Sequence, residues 1–140
     1  MNAEVVAAQQ RARNQAVVRQ MFAAVSAGDP AGLLEHVAED LSYEAPYYAG
    51  MEAVRGRDGM AAMLDAVKAR FSRIHYEVVD LFPALDPDLV IAELRGDHQV
   101  AGSPARYRNH YIMFIGFRGG KVVQWRELSN PDIYRRATGE

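Results

Sequence analysis

Residues 107–129 read YRNHYIMFIGFRGGKVVQWRELS, and this stretch decides the fold of the chain. Two runs rich in β-branched and aromatic residues flank Gly119–Gly120, and such runs are typical of strands. A two-residue hairpin loop needs a positive φ at both central positions, which glycine adopts at little cost. The stretch therefore predicts a hairpin of two long antiparallel strands.

The rest of the chain reads as helices first and strands afterwards. Apolar residues recur at helical spacing in three early segments. Gly28 ends the first segment, Asp29–Pro30 supplies a cap and a first-turn proline for the second, and Asp58 is the predicted cap of the third. Strands are predicted at 40–46, 76–82, 89–100, 107–117 and 122–129, and a terminal helical turn at 132–137. Helices followed by a mostly antiparallel sheet predict an α+β fold.

The predicted hairpin also predicts which side chains share a face. Counted outward from the glycine loop, partners across the two strands lie on the same side of the sheet. The predicted pairs are Phe114 with Trp125, Ile112 with Glu127, and His110 with Ser129. A bulge in either strand would reverse this facing.

The opposite face of the same hairpin is also apolar. It carries Tyr111, Met113, Ile115 and Phe117. One apolar face can pack against the helices and line a pocket. The other apolar face also needs a packing partner, and we expect no further element of this short chain to supply it. We therefore predict a homodimer through the face that carries Tyr111.

Length and composition bound the possible functions. The chain has 140 residues, a formal net charge of −2 and no cysteine. With no Lys/Arg run, we expect no nucleic-acid partner. The absence of thiols fits a reducing cytoplasm, and the polar segment 1–13 lacks the apolar core of a signal peptide. No stretch is apolar enough to span a bilayer. We predict a cytoplasmic protein with no membrane partner, a flexible segment at 1–13 and a single domain at 14–137.

Several motifs resemble the nuclear transport factor 2-like superfamily. They are Ser26–Pro30, Asp40–Pro46 and Gly120–Glu127. Two more, Tyr107–Tyr111 and Arg126–Pro131, are similar to the SnoaL-like group, especially the phenazine-biosynthesis A/B proteins. The resemblance covers residues 14–137. It implies a cone-shaped fold with N-terminal helices packed on a curved sheet that encloses a pocket. Such folds serve isomerases, cyclases, hydrolases and simple binders, so the fold does not imply the reaction.

Glu127 is the first candidate for chemistry. It lies inside a strand beside Trp125. A carboxylate among apolar groups has its charged form disfavoured, and its pKa then rises toward the range useful for proton transfer. The resemblance to the phenazine A/B proteins implies an acid/base role for Glu127. The alternative is an edge-strand carboxylate paired with Arg126 or Arg95 in solvent.

Arg95–Gly96–Asp97 is the second candidate, because Arg95 and Asp97 point to the same face of an extended strand. With Trp125–Glu127, this spacing is similar to the limonene-epoxide hydrolase pattern. That resemblance implies Glu127 as the base that activates water, Asp97 as the acid and Arg95 as the bridge between them. Tyr43 would help to position the water. The alternative is a structural surface ion pair.

The remaining predictions concern binding. The residues predicted to contact a small hydrophobic molecule are Trp125, His110, Ile112, Phe114, Met63 and Tyr48. The four histidines are scattered, so no metal site is expected. With no phosphate loop or dinucleotide fingerprint, we expect no cofactor. Three functions stay open: a cofactor-independent isomerase, cyclase or hydrolase, a limonene-epoxide-hydrolase-type enzyme, or a non-catalytic small-molecule-binding protein.

Overall fold

The computed structural model describes residues 2–140, which form helices at both ends of the chain and a seven-stranded sheet. The helices are α1 (Ala3–Ser26), α2 (Pro30–Leu34), α3 (Gly56–Arg70) and α4 (Pro131–Thr138). The strands are β1 (Val37–Glu44), β2 (Val54–Arg55), β3 (Phe71–Arg73), β4 (Tyr76–Pro83), β5 (Leu89–Val100), β6 (Arg106–Arg118) and β7 (Lys121–Leu128). The predicted α+β class is confirmed.

Local signals account for most helix boundaries. Gly28 has a φ of 76° and follows the end of α1, and the Asp29 side chain caps α2 by accepting a hydrogen bond from the Gly32 N–H. The prediction for Asp58 is wrong, because α3 begins at Gly56 and Asp58 lies in its first turn. There its carboxylate is close to the positive end of the helix dipole.

Residues 3–13, which were expected to be flexible, form the first half of α1. Arg11 anchors this half to the loop between β4 and β5. Its Nε donates to the Ala84 carbonyl at 3.0 Å, and its Nη2 donates to the Leu85 carbonyl at 2.8 Å. These bonds satisfy loop carbonyls that would otherwise need water. None of the helices between residues 2 and 140 combines the length and apolarity that a membrane crossing requires.

The sheet has the order β2-β1-β7-β6-β5-β3, and β4 also pairs with β5. The pairs are antiparallel except that β1 lies parallel to β7. This parallel pairing brings Tyr43 level with Trp125 although the two residues are far apart in the chain. It builds the part of the sheet on which the candidate site lies.

A bulge in β7 overturns the predicted facing of the hairpin. Phe117 pairs with Val122 as predicted, but Gly116 pairs with Gln124, so Val123 is an extra residue. Every later pair is shifted by one, and Trp125 lies opposite Ile115. An unpaired residue reverses the alternation of all residues beyond it. The predicted pairs of Phe114 with Trp125, Ile112 with Glu127 and His110 with Ser129 are therefore wrong.

The corrected register also moves the predicted dimer face. Tyr111, Met113, Ile115 and Phe117 are all buried within the protomer, where they pack with Trp125 in the hydrophobic core. They cannot form an outer face. Ile112 and Phe114 lie on the opposite side of β6 and are only half-buried. Dimerisation stays a prediction, and the surface available for it is the outer face of β5, β6 and β7.

Candidate active site

A cavity of about 460 Å³ lies between the helices and the inner face of the sheet. Its wall is mainly aromatic, and six of the seven tyrosines of the chain contribute to it. These tyrosines are Tyr43, Tyr48, Tyr76, Tyr107, Tyr111 and Tyr134. Apolar side chains from α1 and α3, including Phe22, Met63, Leu64 and Val67, complete much of the enclosure. The volume suits a small organic molecule, and such pockets are usually apolar with a few placed polar groups.

Glu127 is the titratable group at the centre of this arrangement. It lies well below the outer surface of the protein, and its partial exposure comes from facing the cavity. Burial raises the pKa of its carboxyl from 4.5 to about 7, although a hydrogen bond from Tyr43 acts in the opposite direction. The Tyr43 hydroxyl donates to Oε2 at 3.1 Å. A carboxyl with this pKa has both of its protonation states populated near neutral pH.

The strand order explains why Tyr43 and Glu127 meet. In the parallel pair of β1 and β7, Tyr43 is level with Trp125, and the two rings pack edge to face at 5.3 Å between centroids. Glu127 is two residues farther along β7, on the same face, so the phenol oxygen reaches its carboxylate. Burial is the main cause that raises the pKa of Tyr43, and the charge of Glu127 adds to it. Tyr43 is therefore a hydrogen-bond donor throughout the neutral range.

A chain of hydroxyl groups forms a second polar feature of the cavity wall. Tyr111 donates to the Tyr107 hydroxyl at 3.1 Å, and the Asn109 side-chain amide donates to the same oxygen at 2.8 Å. The Tyr48 hydroxyl lies 3.5 Å from the Tyr107 hydroxyl and 3.0 Å from Ser129 Oγ. These contacts satisfy the buried phenols and hold their rings in place.

Gly96 makes room for the aromatic side of the cavity. A Cβ atom at this position would lie 2.9 Å from Tyr111 Cε2 and 3.3 Å from the imidazole of His98. No other residue type fits without displacing one of these rings. Gly96 also pairs with Tyr76 across the sheet. Because Gly96 has no side chain, the rings of Tyr111 and His98 can approach the backbone of β5 at this position.

Five of the predicted site residues do come together. Glu127, Tyr43, Tyr48, Met63 and Trp125 all line the cavity. Their roles in catalysis and binding stay predictions. Trp125 lies beside Tyr43 and Phe22 rather than beside Phe114, which the predicted register had placed next to it.

Arg95 and Asp97 do not reach the cavity. On β5 the side chains of Leu94 and His98 point inward and Gly96 lies on the same face, so the alternate residues Arg95 and Asp97 point outward. The predicted triad of Arg95, Asp97 and Glu127 is therefore not assembled.

Asp97 has other partners on the outer surface. Its Oδ1 accepts a hydrogen bond of 2.9 Å from Arg106 Nε and lies 3.4 Å from Arg108 Nε. Partial burial acts to raise the pKa of Asp97, but the hydrogen bonds and charges of these arginines outweigh it and the pKa is lowered. Asp97 thus forms a surface ion pair, as the alternative predicted, but its partners are Arg106 and Arg108 instead of Arg95.

His110, Ile112 and Phe114 also lie on the outer face of the sheet and cannot contact a molecule in the cavity. His110 is exposed, and its Nε2 lies 2.7 Å from the carboxylate of Glu93. The bulge at Val123 is the reason for this correction. It turns β7 relative to β6, so Trp125 and Glu127 face the side on which Tyr111 lies.

The prediction missed Tyr76, His98, Tyr107 and Tyr111 as cavity residues. A usable signal was present for two of them. Tyr107 and Tyr111 alternate in step with Met113 and Ile115, so they belong to the most apolar face of the hairpin. Nothing in the sequence alone showed that this face also receives Glu127.

A second, larger concavity of about 730 Å³ lies between α3, the turn after β5 and α4. It is an open groove lined mainly by small side chains, with Arg70 and Arg136 as its charged groups. It has no buried titratable group, and we do not place the chemistry there. Within residues 2–140, no group of three or more acidic or histidine side chains is arranged to hold a metal ion.

The sequence profile of the SnoaL-like domain matches residues 18–125, and the chain belongs to this family. The uncharacterized protein YesE of Bacillus subtilis is 31% identical to it over 104 residues, a match that spans 72% of this chain and 70% of YesE.

Solved structures show the same fold. A phenazine biosynthesis-related protein from Pseudomonas aeruginosa superimposes with a TM-score of 0.82 at 20% identity, over 98% of this chain and 92% of that one. An LEH-like epoxide hydrolase of M. tuberculosis gives 0.74 at 16% identity, over 91% and 90% of the two chains. Both resemblances are confirmed for the fold, and at these identities they show the fold alone.

A Bacillus subtilis protein described as a candidate isomerase is more similar in sequence. It is 26% identical, with a TM-score of 0.79, and the match covers 93% of this chain and 95% of that one. The chain is thus a SnoaL-like domain that has an isomerase-like neighbour.

Proposed function

We propose that this protein is a cofactor-independent enzyme that uses Glu127 for general acid/base chemistry on a small, largely apolar organic molecule. The observation that carries the proposal is the Glu127 carboxyl in an aromatic cavity, with its pKa raised to about 7 by burial. Groups with such shifted pKa values cluster at functional sites. A structural carboxylate gains nothing from this position, because its ionisation there costs free energy.

The two oxygens of Glu127 have different surroundings. Oε2 accepts the hydrogen bond from Tyr43, whereas Oε1 has no hydrogen-bond partner within residues 2–140 and is not enclosed by protein. In the ionised form, Oε1 can remove a proton from a molecule in the cavity, and in the protonated form it can return one. Tyr43 orients the carboxylate for both steps. This arrangement suits an isomerase or a cyclase, in which a proton is removed at one position and added at another.

The epoxide-hydrolase alternative is not supported by the positions of its residues. It needs an acid to protonate the leaving oxygen beside the base, and Asp97 is on the other side of the sheet. The binding-protein alternative differs from the proposal in one respect, namely turnover.

The test compares Glu127→Gln with Asp97→Asn, since both changes replace a carboxylate with its amide. Two bicyclic probes are used: 2-tetralone in D₂O, for proton exchange at the carbons next to the ketone, and the epoxide of 1,2-dihydronaphthalene, for ring opening. We expect exchange by the parent protein, a loss of about 10²–10⁴-fold in Glu127→Gln, and no loss in Asp97→Asn.

The pH dependence adds a second readout. Because the ionised carboxylate is the base, the exchange rate should rise with pH through about 7 and then level off. Binding is followed by the fluorescence of Trp125, the only tryptophan. If both probes bind but the parent and Glu127→Gln are equally inactive, the binding-protein alternative replaces the proposal. Equal losses in both variants with the epoxide would restore the hydrolase alternative.

A further inference from the structure

His98 is a buried polar side chain in the wall of the same cavity. It is 1% exposed, and its Nδ1 accepts a hydrogen bond from the backbone N–H of His75 at 3.2 Å. A nitrogen that accepts from an N–H carries no proton of its own. The ring proton of the neutral imidazole is therefore on Nε2.

The Nε2–H of His98 has no acceptor within residues 2–140. The imidazole packs against aromatic side chains, with centroid distances of 4.8 Å to Tyr76, 5.2 Å to Phe71 and 5.6 Å to Tyr107. Its Nε2 lies over Gly96, where a Cβ atom would be 3.3 Å away. A buried donor without an acceptor costs about 1–3 kcal/mol, and native proteins keep few of them. Such a group in a cavity wall indicates an acceptor on the ligand.

The charge state of the site defines that acceptor. Burial lowers the pKa of His98 to about 4, so the imidazole is neutral near pH 7. As far as the structure describes the chain, from residue 2 to 140, the cavity wall contains no Lys or Arg, and its acidic residues are Glu127 and Glu140. An anionic ligand group would have no counter-charge there. A neutral carbonyl oxygen is the acceptor that fits. Trp125 Nε1 is a second buried donor in this wall without an acceptor, which strengthens the same conclusion.

Tyr76 separates His98 from Glu127. Its ring packs against the imidazole, and its hydroxyl is close enough to Glu127 for the carboxylate charge to contribute, after burial, to raising the pKa of Tyr76. A ligand that touches both His98 and Glu127 must therefore extend past this ring. Nε2 is buried, so a hydrogen bond to a ligand oxygen requires a neighbouring side chain to move aside.

We propose that His98 is a specificity-determining residue, whose Nε2–H donates a hydrogen bond to a neutral carbonyl oxygen of the ligand, away from the atom on which Glu127 acts. This inference rests on the proposed function for the location of the ligand. It adds the substrate class: apolar molecules that carry a ketone, quinone or ester carbonyl at one end.

The experiment uses two probes that differ in one carbonyl group, 2-tetralone and tetralin. Both are titrated by Trp125 fluorescence into the parent protein, His98→Phe and His98→Gln. The measured quantity is the preference for 2-tetralone over tetralin, which cancels changes in packing that affect both probes. We expect His98→Phe to lose about 10-fold of this preference with tetralin affinity nearly unchanged. His98→Gln should recover part of it, since its amide N–H reaches toward the position of Nε2.

A measurement on the parent protein covers the case in which His98 variants fail to fold. In ¹⁵N-labelled protein, the Nε2–H resonance of His98 should shift on addition of 2-tetralone and much less on addition of tetralin. No difference between the probes would overturn the proposal. An unchanged preference in a folded His98→Phe would overturn it as well.

Failure of this inference is distinguishable from failure of the proposed function. Glu127→Gln should keep the preference for 2-tetralone while it loses proton exchange. If Glu127→Gln exchanges protons like the parent but the His98 results hold, the proposed function is wrong, whereas the hydrogen bond from His98 to the ligand carbonyl (the carbonyl anchor) is retained. If proton exchange depends on Glu127 but His98→Phe binds like the parent, only the anchor is wrong.

Discussion

Glu127 and Asp97 are both carboxylates on strands that flank β6, yet the two faces of the sheet give them opposite properties. Glu127 is on the inner face, where burial raises its pKa to about 7 and Tyr43 is its one hydrogen-bond donor among residues 2–140. Asp97 is on the outer face, where Arg106 and Arg108 outweigh partial burial and its pKa is lowered. The same chemical group is thus a candidate acid/base on one side and a surface ion-pair partner on the other.

The difference follows from which side of a strand a residue occupies. An outward side chain keeps water and long arginines within reach, so its charged form is well solvated. An inward side chain is solvated only by the few polar groups that the fold supplies. Three predictions test this comparison, in order of decreasing expected effect.

The largest effect is expected from truncating neighbouring positions of β6. Ile115 is 0% exposed on the inner face, whereas Ile112 is half-buried on the outer face. Ile115→Ala should lower the free energy of unfolding by about 2–5 kcal/mol, and Ile112→Ala by about 1 kcal/mol or less. Urea unfolding followed by circular dichroism measures both. A larger loss for Ile112→Ala would restore the facing without a bulge.

The second effect is the pH dependence of stability. The folded pKa of Glu127 is about 7 and its ordinary value is 4.5, so the folded state binds more protons between these values. Its contribution to stability therefore falls as pH rises through this window. Glu127→Gln should be more stable than the parent at pH 8, by on the order of 2–3 kcal/mol, and similar to it at pH 4.

Asp97→Asn is the matched control and should behave in the opposite way. Because the pKa of Asp97 is lowered in the folded state, its carboxylate stabilises the protein at pH values above its ordinary pKa. This stabilisation is lost as the pH falls through the folded pKa. Asp97→Asn should therefore cost less than about 1 kcal/mol at neutral pH, with the difference vanishing in acid. Parallel pH profiles for the two variants would mean that the two faces do not differ electrostatically.

The smallest effect on the fold of one protomer is expected from Phe114→Arg. Phe114 and Ile112 form a half-buried apolar strip on the outer face, and we predict that a second copy of the chain covers it. Phe114→Arg should keep the folded circular dichroism spectrum and shift the protein from dimer to monomer in light scattering. A parent protein that is monomeric and fully soluble at micromolar concentration would contradict this prediction.

Much of the architecture was predictable from local patterns. Gly119–Gly120 predicted the hairpin, Asp29–Pro30 predicted the start of α2, and Asn130–Pro131 marks the start of α4. These signals act over a few residues, through positive φ, side-chain caps and the fixed φ of proline. Glu127 and Tyr43 were also predicted, on the spacing of residues around Trp125 and on a family resemblance.

The face of each strand was not predictable in the same way. One extra residue, Val123, reverses every position beyond it in β7, and β7 itself (Lys121–Leu128) contains no glycine or proline to mark the bulge. The prediction consequently placed Phe114, Ile112 and His110 inside, and Tyr111 outside. Arg95 and Asp97 were rightly predicted to share a face, but which face depends on how β5 pairs with its neighbours.

The sequence by itself determined the main helices, the five longer strands, their order and the α+β class, because hydrophobic period, turn residues and caps are properties of neighbouring residues. It did not mark the short strands β2 and β3 or the first half of α1. Only the tertiary structure decided that Glu127 meets Tyr43 and that His98 lines the same cavity. Those contacts depend on the parallel pairing of β1 with β7 and on the bulge at Val123. Both are settled by how the whole sheet packs over its helices, since a strand carries no local signal for its partner or for the face that becomes buried.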